Sequence, residues 1–234
     1  MTFAAFGIFW LALGVLPVVP AAGTPPELVR ASPQVPLAFQ SDVRFILFLL
    51  PSHVVSTVAR RGWHVEIVPS LEEALPELAG AAPRGWPAGW TWRQVDAVHL
   101  PQQRRLIVAV YRRNQMGNLV AAHRTAGVLR HELGHAWDMA TGTGRLRSAS
   151  PAFRRAFALD VKTMPARLRT ELDYFLQTGD GGPQEAFAEA FAVVLGGGSA
   201  TSLQREFKAA FPRVLTWMER ALERRDSPGK ATGR

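Results

Sequence analysis

Two histidines and a glutamate stand together in His131-Glu132-Leu133-Gly134-His135. Residues four apart share one face of a helix. On a helix, therefore, the two imidazoles can hold a single Zn²⁺ while Glu132, offset by one position, leans toward a metal-bound water as a general base. The segment suits a buried helix: Val128, Leu129, Leu133, Ala136 and Trp137 surround the motif, and no proline falls between positions 121 and 140. Buried histidines and a buried glutamate need polar partners. One metal ion satisfies them together; the competing reading is a pair of core histidines hydrogen-bonded within the protein.

A zinc held by two histidines needs a third protein ligand and an open position for water. The chain has no cysteine, which excludes thiolate ligands and disulfides and leaves His, carboxylate and water. A metzincin places Gly three and His six residues beyond the second histidine; here those positions are Asp138 and Thr141, so that class is excluded. Carboxylates remain. In Glu185-Ala186-Phe187-Ala188-Glu189-Ala190-Phe191 both glutamates share one helical face, with Phe187 and Phe191 roughly opposite. The intervening alanines let a second helix approach closely. Two like charges four apart repel unless a cation and imidazole N–H groups lie between them, one carboxylate binding metal and the other orienting a histidine. The alternative is a solvated acidic stripe. Asp138 reads as a hydrogen-bond acceptor supporting the end of the motif helix rather than as a ligand.

The elements that must position these groups follow from periodicity and punctuation. Helical pieces are expected at 42–50 and 52–61, a strand at 64–68 and a short helix at 71–78. Strands at 95–100 and 106–111 read as a hairpin around Pro101-Gln102-Gln103. Beyond the motif helix, Ser150-Pro151 and Thr163 with Pro165 open two packing helices, the glycines at 196–198 end the helix carrying Glu185, and a last helix at 202–224 bends near Pro212.

With these residues in place the chain resembles a known family. His131-Glu132-Leu133-Gly134-His135-Ala136-Trp137-Asp138, followed by Glu185-Ala186-Phe187-Ala188-Glu189-Ala190-Phe191, is similar to the catalytic domain of anthrax lethal factor and the secreted bacterial Pro-Pro endopeptidases. Gly89-Trp90-Thr91-Trp92 and Val95-Asp96-Ala97-Val98 are similar in placement. The resemblance implies an α+β, zincin-like metallopeptidase domain, mostly helical with a small twisted sheet. It further implies one zinc ion on His131, His135 and Glu185, Glu132 as base and Glu189 behind the ligands. Relatives carry an oxyanion-stabilising tyrosine seven residues before the glutamate ligand. That position is Thr178 here, and of the chain's two tyrosines only Tyr174 is near enough in sequence to serve. The resemblance also suggests that 106–111 is an edge strand, with Leu106, Val108 and Val110 pairing against extended substrate; the competing reading is plain sheet core.

Composition sets the frame. At 234 residues, with ordinary apolar and charged fractions, one domain is the default. The net charge of +8 comes mainly from scattered arginines without a recognisable nucleic-acid module, so a solvated basic exterior is expected, with no nucleic-acid partner. The apolar run at 3–19 and the small residues around Val19-Pro20-Ala21 look like an export signal or N-terminal anchor. The expected organisation is therefore a signal or anchor at 1–22, a Pro/Ala-rich linker at 23–40, a catalytic domain at 41–224 and a polar tail. This predicts a secreted or extracytoplasmic zinc endopeptidase, monomeric, acting on protein or peptide, with possible envelope association. A catalytically silent zinc-binding envelope or adhesion protein is the alternative.

Overall fold

The computed structural model describes residues 28–83, 88–122, 124–199 and 203–224. The expected signal segment, the first part of the linker and the tail from 225 lie outside them. The described chain begins with strand β1 (Val29–Ala31), followed by helices α1 (Leu37–Phe48) and α2 (Ser52–Arg60), strand β2 (His64–Val68) and the short helix α3 (Leu71–Ala74). Strands β3 (Ala97–Leu100) and β4 (Arg105–Ala109) form the expected hairpin. A single 3-10 turn at Pro101–Gln103 joins them, with Arg104 left-handed at φ 51°. Parallel pairing of β1 with β2 and of β2 with β4 completes a sheet of order β1-β2-β4-β3.

Period-two alternation divides this sheet between two cores. Val65, Ile67, Ala97, Leu106, Val108 and Val110 enter the main core, shared with α1, α2 and the motif helix, whereas Val98, Ile107 and Ala109 meet Leu71 and Leu75 on the other face. Two expectations fail here. Residues 29–31, assigned to a linker, are a strand; three residues among prolines carry too little pattern to be recognised. The strand carrying Leu106, Val108 and Val110 is not an edge: β4 is hydrogen-bonded to β2 on one side and β3 on the other. All three side chains are buried, so they support the motif helix and cannot pair with substrate. Among the described strands the edges of this sheet are β1 and β3.

A small hairpin of β5 (Tyr111–Arg113) and β6 (Leu119–Ala121) precedes the motif helix α4 (Thr125–Met139). The remaining helices are α5 (Pro151–Thr163), α6 (Ala166–Glu171), α7 (Gly181–Val194), α8 (Gln204–Ala210) and α9 (Pro212–Glu223). Ser150 caps α5 by accepting from the Phe153 amide, with Pro151 in the first turn. The last helix is two helices instead of one bent one, because Pro212 lacks the N–H needed to continue α8 and starts α9 instead. Beneath the motif, Trp137 packs on Phe187 and Phe191, and Phe153 and Trp217 pack on Phe187. Part of the arginine surface is less solvated than expected: Arg112 pairs with buried Asp96 at 2.8 Å and Arg113 with Glu72 at 2.7 Å.

Candidate metal centre

Helices α4 and α7 pack face to face, and their small residues set the distance. A Cβ on Gly134 would lie 2.9 Å from the Ala188 Cα and 3.0 Å from its carbonyl oxygen. The motif glycine and the alanines of α7 therefore bring two backbones nearly into contact. This approach brings His131, about one turn before Gly134, and His135, next to it, up to Glu185, which lies about one turn before Ala188.

Glu185 Oε2 is 3.2 Å from His131 Nε2 and 3.4 Å from His135 Nε2. Tetrahedral zinc with bonds of 2.0–2.1 Å has ligand-to-ligand edges of about 3.3 Å. All three residues are buried, and one ligand atom from each lies within 4.8 Å of the others. The donor set therefore fits a zinc ion. Glu189 takes the other side of His131: its Oε2 accepts from Nδ1 at 2.8 Å, from the Ser199 amide at 3.2 Å and from the Ser199 hydroxyl at 2.7 Å. Thus Glu189 fixes the ring while Nε2 faces the site. Ser199 reaches Glu189 because the chain turns back after α7 through Gly196 and Gly197, both at positive φ, and then Gly198, where a Cβ would overlap Glu189 Oε1.

The charges follow from this packing. Burial opposes a charged His131, but the hydrogen bonds and charges of Glu185 and Glu189 outweigh it and hold its pKa well above the ordinary imidazole value. Burial also opposes ionisation of Glu185; its two imidazole partners outweigh that and hold the carboxyl far below the usual range. Burial, reinforced by the charge on His99, lowers His135 and favours the neutral ring a metal requires. Glu132 is likewise lowered: burial works against its charge, and the hydrogen bond and charge of His99 prevail.

His99 escaped the sequence reading. It projects from β3, and its Nδ1–H donates to Glu132 Oε2 at 2.8 Å while its ring stacks on His135, 4.2 Å between centroids and 24° from parallel. The signal was present: His99 pairs in register with Leu106 and shares the parity of Ala97, so strand alternation turns it toward the motif helix once the hairpin is recognised. Ser199 had no comparable signal, because a loop conformation alone brings it in.

Of the other expected residues, Tyr174 lies on a 3-10 turn at Asp173–Leu176 and lines the same cleft as His99, Glu132, His135 and Glu185, a cavity of about 930 Å³. Trp92 lines it too, while also packing beside Val95 and Val98. Asp138, near the end of the motif helix, is buried. Its carboxylate accepts from the Ser148 amide at 2.7 Å and hydroxyl at 2.6 Å, so it braces the loop after α4.

No family model matches the chain, and no curated protein does. Among solved structures it is similar to the Pro-Pro endopeptidase from Paenibacillus alvei, with a TM-score of 0.54 and 20% identity over 83% of this chain and 97% of that one. At that identity the likeness is one of fold. The chain shares that structure's fold, and in this chain it is α+β, mostly helical with a small mixed sheet.

Proposed function

We propose that this chain is a zinc-dependent metalloendopeptidase that hydrolyses peptide bonds of extracytoplasmic proteins. One observation carries the reading: two histidines of α4 and Glu185 of α7 converge with the spacing of a zinc tetrahedron, and an ionised Glu132 stands beside them in an open cleft. A purely structural zinc site has no need of that base. Export is inferred from the apolar run at 3–19 and the small residues that follow it. Among the described residues no single helix is long and apolar enough to cross a membrane.

In this site His131, His135 and Glu185 would hold the ion, with Glu189 fixing the His131 ring. Bound zinc supplies Lewis-acid chemistry, making a water nucleophilic near neutral pH and polarising the scissile carbonyl. Glu132 takes the proton of the attacking water and returns it to the leaving amine. Tyr174, which lines the same cleft, is the chain's candidate donor to the developing oxyanion. The free edge of β3 runs beside α4 and offers backbone groups to an extended substrate. That role passes from β4 to β3.

The test is Glu132→Gln. At low free zinc, bound metal should stay at the wild-type level of one ion while cleavage of a denatured protein or peptide library falls by about 10²–10⁴-fold. Wild-type cleavage by this variant would overturn the mechanism.

A further inference from the structure

A second group of metal-binding side chains adjoins the first. His99, Glu132 and His135 each offer one ligand atom within 4.8 Å of the others. They come from two elements, the edge strand β3 and helix α4, held together by the His99–Glu132 hydrogen bond and the His99–His135 stack. The set also differs from the inner one in access. The side chains of His131, His135 and Glu185 are 7%, 7% and 9% exposed, whereas His99 is 28% exposed at the cleft wall.

We propose that His99 and Glu132 form a second, weaker zinc site whose occupation shuts the enzyme off. The proposal rests on the peptidase reading for its consequence, though not for the binding itself. His135 belongs to both groups, and once it is committed to the inner ion the outer one is left with His99 Nδ1, a Glu132 oxygen and water. Two protein ligands in place of three, and repulsion between neighbouring divalent ions, make the outer site the weaker. A nitrogen and a carboxylate oxygen are acceptable zinc donors, and paired metals a few Å apart are an established arrangement. The effect is inhibitory because of which carboxylate is used. A Glu132 bound to metal cannot accept the proton of the attacking water.

The site is tested on the full chain by equilibrium dialysis against increasing free zinc, with metal counted by mass spectrometry. Wild type should hold one zinc at low free metal and two at high. His99→Asn, which keeps an amide N–H to bond Glu132, should hold only the first, and so should Glu132→Gln. Glu185→Ala should instead lose the tight ion. In parallel, peptide cleavage by wild type should decline at least tenfold as the second zinc binds, while whatever rate His99→Asn retains should not decline over the same range. A single zinc at all concentrations, or a second zinc that persists in His99→Asn or in Glu132→Gln, overturns the proposal. These binding counts stand whether or not the protein cleaves peptides, so loss of the peptidase reading would show separately in the cleavage assay.

Discussion

His131 shows most clearly how single residues fix the chemistry. Its ring lies between two carboxylates, Glu189 on Nδ1 and Glu185 on Nε2, with Glu132 and His135 close by. Its raised pKa contributes stability that is fully present below the unfolded imidazole value near 6.5 and is lost as pH rises through the higher folded value. The depressed Glu185 acts oppositely, contributing above the ordinary carboxyl value of 4.5 and losing its contribution as pH falls. His135, which is depressed, loses its contribution as pH falls below the unfolded value, so for these three groups together stability should be greatest near pH 6.5, and the melting temperature should fall between pH 6.5 and 9. Zinc uptake runs the other way, because Nε2 must release its proton before it can bind. Zinc affinity should rise over the same interval, and titration with zinc near pH 7 should release a proton to an indicator dye. A metal-free melting temperature that climbs from pH 6.5 to 9, or zinc binding without proton release, would contradict this account.

At the scale of elements, the site depends on how closely α4 approaches α7. Alanine is the better helix former by about 1 kcal/mol, so on propensity alone Gly134→Ala should stabilise α4. The Cβ, however, meets backbone atoms of Ala188 at 2.9 and 3.0 Å, which cannot rotate away. Overpacking of this kind costs about 1–3 kcal/mol. Gly134→Ala should therefore lower stability by up to about 2 kcal/mol and weaken zinc binding, because separating the helices moves Glu185 from both imidazoles. Thermal melts and competition against a chelator measure the two effects; unchanged zinc affinity would show that the spacing does not set the ligand geometry. Both helices were legible in the sequence, since the motif spacing, the alanines of α7 and the glycines after it are local signals. So was the hairpin at 95–111. What could not be read was the order of strands. The insertion of β4 between β2 and β3 is a long-range fact: it puts Leu106 and Val108 inside the sheet and leaves β3 at an edge, where His99 meets Glu132. Strands β1, β5 and β6, of three residues each, were missed because so short a strand has no alternation to detect.

Across the whole molecule, the sheet seats α4 from one side and the helical half seats α7 from the other, so the metal centre is only as well ordered as the joint between these halves. α7 packs against both α4 and α9, and α9 is fastened to α5 by one fully buried carboxylate. Asp160 Oδ2 accepts from the amides of Arg213 and Val214 at 3.0 and 2.9 Å, in the first turn of α9, and Oδ1 accepts from the Arg213 guanidinium at 3.0 Å. A carboxylate there satisfies orphan amides and lies at the positive end of the helix dipole. Because the Arg213 side chain is 49% exposed, its ion pair adds little, and the amide bonds matter most. Asp160→Ala would leave two amides without acceptors at a cost of about 2–3 kcal/mol, a fall of roughly 4–12 °C in melting temperature for a chain of this size. Asp160 touches no proposed ligand. The fall should therefore be nearly equal in metal-free and zinc-loaded protein, with zinc stoichiometry intact. A much larger fall in the zinc-loaded form would instead mean that the seat of α9 is transmitted through α7 to the glutamates, making the helical half part of the metal site's own geometry.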